Sequence, residues 1–419
     1  MFFKIKLIAL TLFLSCNLSA QTETIKNDSL KKNPEVISSE KIQKPETIEK
    51  VKKWFENIAI RGYAQVRYNR LLETNPDLGC EQCDRSWGNN GGLFIRRGRL
   101  IFSGNVHERI FIYIQPDFAS SAGTTNNILQ LRDAYFDIAL DTDKEYRFRI
   151  GQSKVPYGFE NMQSSQNRLT LDRNDALNSA VSNERDLGVF FYWAPKSKRD
   201  LFKKLVDENL KGSGDYGVVG LGVYNGQTAN RSEANNDQHL VARVSYPFEF
   251  KNGQVLETGV QAYKGKYVVG TKTAGVTTLL GSEYKDERIA ASITLYPKPF
   301  GFQAEYNIGK GPQYNKTNNT IEEKSLKGGY VQIFYSLKID KQQFFPFIKY
   351  QSYQGGKKHE LDARSYDVKD LEIGIEWQPF KNFELVADYT ISNRRYEDAV
   401  LTDNHQKGSL LRLQAQVNF

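Results

Sequence analysis

The chain has 419 residues, a formal net charge of +8 and a mean hydropathy of −0.56, so it is too polar for a protein that crosses membranes with helices. No apolar run reaches the roughly 18 residues that a spanning helix needs. The sequence contains 23 Tyr, 25 Phe and 32 Gly but only 2 Met. This composition favours an all-β chain.

The first twenty residues predict a secretory signal peptide. Lys4 and Lys6 precede an apolar stretch, and small residues follow it. We expect cleavage after Ala20, with a lipoprotein signal at Cys16 as the alternative.

A polar segment, residues 21–57, comes next. It is rich in Lys and Glu, nearly free of aromatic residues and interrupted by Pro34 and Pro45. Such a composition cannot bury a core, so we expect a solvated periplasmic tail. Its last part, ETIEKVKKWFENI, is compatible with a short amphipathic helix.

From residue 58 to the end, apolar and polar residues alternate in about sixteen segments, from AIRGYAQVRYNR to LLRLQAQVNF. Strict alternation predicts half-buried strands, and eight to twelve residues suffice for a tilted strand to cross a bilayer. Short links such as HER, DTDKE, PKPFG and PFKN alternate with long ones such as LETNPDLGCEQCDRSWGNNGG and GKGPQYNKTNNTIEEKSLKGG. The pattern predicts a transmembrane antiparallel β-barrel of about sixteen strands. One link, APKSKRDLFKKLVDENLKGSGDYG, is long on the short-turn side.

The last strand must seal against the first, because unpaired backbone groups are costly in lipid. Leu411, Leu413, Ala415, Val417 and Phe419 are then predicted to face outer-membrane lipid. The terminal aromatic residue also resembles the signal by which outer-membrane assembly machinery recognises its clients.

Cys80 and Cys83 form a CxxC motif in a Gly/Asn-rich link. The motif occurs in redox enzymes and zinc sites, but a second cysteine pair is missing and the four His are scattered. In an oxidising compartment, a short loop disulfide is the favoured interpretation.

The length, the strand number and the stretch RIGQSKVPYGFENM…NERDLGVFFYW resemble the phosphate-selective porin O and P family of Gram-negative outer membranes. This stretch matches the family's pattern of a glycine, a basic residue, a proline, a glycine and an acid at Gly151, Lys154, Pro156, Gly158 and Glu160. It also matches the residues that open the next strand, at Arg185, Asp186 and Gly188. The resemblance implies a homotrimer and an inward-folded constriction loop at residues 155–184.

If the apolar set of each strand faces lipid, the polar set faces the lumen. Guanidinium groups in a narrow wet pore bind and pass anions, phosphate included. The predicted pore cations on the strands, on the loop and beside it are Arg61, Arg67, Arg97, Arg99, Arg147, Arg149, Lys154, Arg168, Arg173 and Arg185. The same alternation predicts an opposing acidic wall of Glu257, Glu305, Glu372, Glu376, Glu384 and Asp388.

These patterns predict a porin for passive diffusion of small anions, with phosphate selectivity as a secondary hypothesis. The alternative is a non-conducting barrel that serves as a scaffold in a larger complex, with the polar tail and the link 196–216 as docking elements. No G-x-S-x-G motif or nucleophile–histidine pair indicates an enzyme, and we expect no cofactor or metal. The basic residues alternate along strands instead of lining one exposed face, so nucleic acid is not an expected partner.

Overall fold

The computed structural model describes residues 53–83, 87, 92–122 and 125–419, so the predicted signal peptide and nearly all of the polar segment lie outside the described residues. Sixteen antiparallel strands form one sheet in the described part, each hydrogen-bonded to its neighbours in the chain. The strands are β1 Ile58–Leu71, β2 Leu93–His107, β3 Ile110–Ala122, β4 Thr125–Ala139, β5 Tyr146–Lys154, β6 Arg185–Trp193, β7 Val219–Tyr224, β8 His239–Glu249, β9 Val255–Val268, β10 Glu283–Leu295, β11 Phe300–Asn315, β12 Thr320–Tyr335, β13 Gln342–Gly356, β14 Ser365–Phe380, β15 Phe383–Glu397 and β16 His405–Asn418. Leu337–Ile339 continues β12, because it pairs with the same neighbour, β13.

The sheet closes into a barrel because β1 pairs with both β2 and β16. In the closing pair, Tyr63 lies opposite Asn418 and Tyr68 opposite Leu413. The Gly62 and Phe419 backbones exchange two hydrogen bonds of 2.7 and 2.9 Å. Closure satisfies the backbone of both terminal strands, which confirms the predicted barrel.

The two faces of β16 differ as the alternation predicts. Leu413, Val417 and Phe419 expose 38%, 47% and 61% of their surface on the outside, whereas Arg412 exposes 1% inside. The outer face is therefore the apolar one. Among the described residues, no helix is long and apolar enough to span a bilayer.

The two ends of the barrel differ in their connections. At the short-turn end the connections span residues 108–109, 140–145, 194–218, 250–254, 296–299, 340–341 and 381–382. At the long-loop end they span 72–92, 123–124, 155–184, 225–238, 269–282, 316–319, 357–364 and 398–404. The stretch GKGPQYNKTNNTIEEKSLKGG was predicted as a long loop, and that prediction is wrong: β11 and β12 extend through it and leave a four-residue turn.

Two connections contain helical turns and run inside the barrel. The loop 155–184 holds α1, Phe159–Met162, and α2, Asp175–Asn178. The connection 194–218, called the insert below, holds α3, Lys196–Asp207. Single 3₁₀ turns occur at Trp54–Asn57, Ser182–Glu184, Leu280–Ser282 and Leu361–Ala363.

Candidate pore and its charged lining

The loop 155–184 is held by inward-facing polar side chains of the arc from β7 to β16. Glu305 of β11 accepts hydrogen bonds from the backbone N–H groups of Phe159 and Glu160 at 2.5 and 2.9 Å. The Lys349 ammonium of β13 lies 2.5 Å from the Glu160 carboxylate, and both side chains are buried. In the middle of the loop, Asp172 pairs with Arg412 at 2.5 Å. These contacts fix the backbone of the loop against one half of the barrel wall.

Apolar contacts reinforce the same attachment. Leu177 of α2 packs in a buried cluster with Tyr263 and Tyr330 of the barrel wall. Leu169 and Leu171 pack against Phe345 and neighbouring side chains in a second cluster. The chain turns into α1 at Gly158, whose φ of +85° is a backbone conformation that favours glycine. The loop also contacts β1, where the Tyr63 hydroxyl lies 2.8 Å from the Ser165 hydroxyl. It therefore fills the lumen beside β6–β16 and β1 and leaves the arc from β2 to β5 open.

The six residues of the predicted acidic wall all point inward, but none of them lines either of the cavities described below. They are buried beneath the loop and the insert, where buried charges require partners. Arg412 lies 2.7 Å from Glu372 and 2.8 Å from Asp388. Arg243 pairs with Glu257 at 2.9 Å, and Gln378 contacts Glu384. These carboxylates lie on the inner face, where they anchor the elements that fill the lumen, and their predicted role as a wall of the pore stays a prediction.

The insert occupies the short-turn end of the lumen. Leu201, Phe202 and Leu205 of α3 are buried in a cluster with Phe159 of the loop and Tyr296 of the wall. Beyond the helix the chain crosses to β14, where the Lys211 ammonium lies 2.6 Å from the Glu376 carboxylate and both side chains are at most 1% exposed. Lys211 also accepts a hydrogen bond from Gln163 of the loop through its backbone carbonyl, at 2.7 Å. The insert therefore contacts the loop on the side that faces the short-turn end of the barrel.

Two cavities remain beside the open arc. The long-loop vestibule, about 230 Å³, lies between β2, β4 and the end of the loop, and the short-turn vestibule, about 800 Å³, lies between β2–β5 and the insert. Arg185, at the start of β6, lines both. It pairs with Asp133 at 2.9 Å and with Glu184. The residues around Arg185 therefore separate the two vestibules.

Arg97 is the most unusual side chain of the long-loop vestibule. It is 6% exposed, and its Nε and Nη1 atoms have no hydrogen-bond partner among the described residues. Its neighbour Arg99 instead pairs with Asp117 at 2.8 Å. A buried guanidinium without a carboxylate is costly unless an anion or water satisfies it. This end of the pore thus carries an unsatisfied positive charge.

Two further cations of this vestibule, Arg96 and Arg132, were missed by the sequence analysis. Each occupies a β-bulge: Gln65 pairs with Arg97 and Val66 with Ile95, so the register of the ladder skips Arg96. Arg132 is skipped in the same way between β3 and β4. A bulge adds one residue to a strand and re-aims its side chains. Strict alternation assigns both residues to the lipid face, although the Arg-Arg pair at 96–97 was a visible departure from it.

Glu184 lies close to several cationic side chains of the loop. Its carboxylate lies 3.0 Å from Arg173 and 3.8 Å from Arg168, and it also contacts Arg185. Burial alone would raise the pKa of the Glu184 carboxyl, but Arg173, Lys154 and Arg185 hold this pKa well below its usual value. Burial lowers the pKa of Arg173 to about 10 despite the nearby carboxylate. Both groups are therefore charged at neutral pH.

The short-turn vestibule contains cations of a different kind. Arg149 is held by Asp137 through hydrogen bonds of 2.8 and 2.9 Å, and its guanidinium lies 3.9 Å from the Tyr135 ring centroid. Arg147 lies 2.8 Å from Asp215 of the insert. Much of the positive charge predicted on β5 is thus neutralised by neighbouring carboxylates.

The ten predicted pore cations consequently fall into three groups. Arg97, Arg99, Arg173 and Arg185 line the long-loop vestibule. Arg61, Arg147, Arg149, Lys154 and again Arg185 line the short-turn vestibule. Arg67 and Arg168 line neither: Arg67 contacts Asp172 and the Leu171 carbonyl, so it belongs to the anchors of the loop.

The predicted disulfide is confirmed, with Cys80 and Cys83 joined at an S–S distance of 2.05 Å. Gln82 between them accepts hydrogen bonds of 2.7 Å from Asn178 of α2 and from Lys357. The disulfide loop therefore covers the long-loop vestibule. Within the described ranges, no three His, Cys, Asp or Glu side chains are grouped as they would be around a metal ion.

A closed sixteen-stranded barrel with an apolar outer face and a charged interior defines a transmembrane β-barrel channel. The family model of the phosphate-selective porins O and P matches residues 76–419, and the chain belongs to this family. It is thus an outer-membrane channel and not an enzyme. No curated protein matches the chain.

Solved structures of outer-membrane channels share the fold. The channel DcaP of Acinetobacter baumannii is 15% identical, with a TM-score of 0.50 over 86% of this chain and 97% of that one. OmpF of Salmonella typhi, solved in complex with daunomycin, is 13% identical, with a TM-score of 0.51 over 87% and 98%. The anion-selective porin of Comamonas acidovorans is 10% identical, with a TM-score of 0.52 over 86% and 99%. At these identities the likeness is one of fold.

Proposed function

We propose that the protein is a porin through which small anions diffuse passively, along the open arc between the loop 155–184 and β2–β5. The loop constricts this path near Arg185. The short-turn end lies in the periplasm with the polar segment 21–57, after removal of a signal peptide at residues 1–20.

The charge of the two vestibules supports this proposal. Seven Lys and Arg side chains and three carboxylates line the long-loop vestibule. Ten Lys and Arg side chains and six carboxylates line the short-turn vestibule. A positive excess at both ends of a narrow aqueous path raises the local concentration of anions and repels cations. The observation that carries the proposal is the Arg97 guanidinium in the long-loop vestibule, whose Nε and Nη1 atoms have no hydrogen-bond partner among the described residues.

The test is the reversal potential of the purified protein in a planar bilayer with a salt gradient. Arg97→Ala should lower the anion-to-cation permeability ratio, because it removes a positive charge from the lining of the long-loop vestibule. Lys327→Ala is the matched control, because Lys327 is exposed on the outer face of β12. Equal permeability ratios for the wild type and Arg97→Ala would remove Arg97 from the mechanism.

Phosphate selectivity and a homotrimeric assembly are the finer parts of the proposal. Guanidinium groups bind oxyanions through two parallel hydrogen bonds, which favours phosphate over chloride at Arg97 and Arg99. The trimer is implied by family resemblance, and sedimentation in detergent tests it. A larger effect of Arg97→Ala on phosphate than on chloride permeability would support selectivity, and equal effects would leave a general anion porin.

The non-conducting scaffold is the less supported alternative. It assigns a docking role to residues 196–216. The apolar face of α3, with Leu201, Phe202 and Leu205, is instead buried inside the barrel and is not available to a partner.

A further inference from the structure

The inner wall of the short-turn vestibule carries aromatic rings where a water-filled lumen normally carries polar groups. Phe111 and Tyr113 of β3 and Tyr135 of β4 point inward and line the cavity, and all three are only half-buried. The Tyr113 and Tyr135 rings are stacked, with centroids 5.1 Å apart and planes within 10°. One side of the vestibule therefore presents a flat apolar surface to water.

Cations border this aromatic surface. The Arg61 guanidinium lies 6.0 Å from the Tyr113 ring centroid, is exposed to the vestibule and forms no ion pair with a described carboxylate. Deeper in, the Lys154 ammonium donates hydrogen bonds of 2.9 Å to the Met162 and Gln163 carbonyls, again without a described carboxylate partner. These two charges differ from Arg147 and Arg149, which are neutralised by Asp215 and Asp137.

Ion pairs hold the part of the insert that lines the rest of the vestibule. The charged face of α3, including Arg199 and Lys203, and Tyr216 farther along the insert close the vestibule. Arg199 pairs with Asp215 at 3.0 Å, and the buried pair of Lys211 and Glu376 fixes the insert across the lumen. The cavity of about 800 Å³ is within the range of sites for small organic molecules.

We propose that the short-turn vestibule is a binding site for organic anions that combine a carboxylate with a planar apolar group. The planar group stacks on Phe111 and Tyr113, which Tyr135 supports from behind, and the carboxylate meets the exposed Arg61. A bare inorganic anion uses the cations alone, so the aromatic surface discriminates by the organic part of the solute. This inference rests on the proposed pore, since it names the class of solute that the same path takes.

The test compares sodium benzoate, sodium acetate and sodium phosphate as blockers of the chloride current through the full-length protein in planar bilayers. Benzoate should block at a concentration about fivefold lower than acetate, as expected for one stacked aromatic contact. Phe111→Ser with Tyr113→Ser should remove this advantage and leave acetate and phosphate unchanged. Tyr113→Phe should preserve the advantage of benzoate over acetate. Arg61→Gln should weaken the block by benzoate and the block by acetate to the same extent.

Tyr146→Ser is the matched control, because Tyr146 is an exposed aromatic residue on the outer face of β5. Heat-modifiable electrophoretic mobility checks that each variant folds. Equal block by benzoate and acetate in the wild type would overturn the inference, as would an unchanged advantage in the double variant.

Ligand-observed NMR of benzoate on the detergent-solubilised protein reports binding even if the barrel passes no current. Absent current with benzoate binding that depends on Phe111 and Tyr113 would contradict the proposed function and keep the site. Anion current without preferential benzoate binding would contradict the site and keep the pore.

Discussion

At Arg96 and Arg132 a single extra residue in one strand decides which way a charge points. Both residues are bulged, and both guanidinium groups enter the long-loop vestibule. Most other cations of the lumen have a carboxylate within ion-pair distance, as Arg99 has in Asp117 and Arg173 in Glu184. Away from such bulges the direction of a side chain follows from sequence alternation, whereas its pairing depends on residues far away in the chain.

Glu184 gives the residue-scale prediction. Because its folded-state pKa is depressed, its ionisation stabilises the fold fully above the unfolded carboxyl value of about 4.3. This stability is lost as the pH falls through the depressed folded value. Glu184→Gln should therefore lower the free energy of unfolding in urea at pH 7, and its deficit should shrink below about pH 4.

Glu249→Gln serves as the control for that experiment, since Glu249 is exposed at the end of β8. A deficit of Glu184→Gln that stays constant from neutral to acidic pH would contradict the assignment.

The position of the insert inside the lumen could not be predicted from the sequence. Its length and its place among the short turns were visible in the sequence, and so was the apolar stripe of α3. Its position inside the lumen was not, because the stripe matches a cluster built from Phe159, Val255 and Tyr296, which come from three distant elements. The partners of the predicted acidic wall were hidden for the same reason: the alternation places Glu376 on the inner face, but it does not show that Lys211 of the insert pairs with it.

The buried pair of Lys211 and Glu376 gives the element-scale prediction. Lys211→Met leaves the Glu376 carboxylate buried without its cation, which should cost about 3–5 kcal/mol of unfolding free energy. Adding Glu376→Gln should recover much of this loss. The measurement is urea unfolding in detergent, with single-channel conductance reporting whether the insert still narrows the lumen.

The exposed pair of Lys203 and Asp207 on α3 is the matched control, because solvent-exposed ion pairs contribute roughly 0–1 kcal/mol. A double variant no more stable than Lys211→Met would show that the pair is not what holds the insert.

For the molecule as a whole, the barrel was largely predictable because its main determinant is local. Local sequence determines the period of two, the turn lengths and the apolar residues that face lipid. The sixteen predicted segments correspond to β1–β16. The pore was less predictable, because it is the space that the loop and the insert leave empty. The aromatic surface at Tyr113 and Tyr135 went unnoticed, since aromatic residues on a barrel strand are ordinarily assigned to the membrane side.

The barrel register gives the whole-molecule prediction. Ile114 exposes 43% of its surface on the outer face of β3, whereas the adjacent Tyr113 faces the short-turn vestibule. Ile114→Arg should destabilise the barrel in lipid by up to about 2–4 kcal/mol, the cost of a cation near the bilayer midplane. Tyr113→Arg should cost much less, because its charge enters water. Folding assays with lipid vesicles measure both variants. A similar loss of stability for Ile114→Arg and Tyr113→Arg would contradict the assignment of these residues to opposite faces of the barrel.

The most direct test of the central claim is the reversal potential of the unmodified protein in a planar bilayer separating two KCl concentrations. If the positive excess of both vestibules controls permeation, the potential must have the sign set by chloride, and it must decline as the salt concentration rises. A potential with the sign set by potassium, or a folded barrel that passes no current, would contradict an anion-conducting pore.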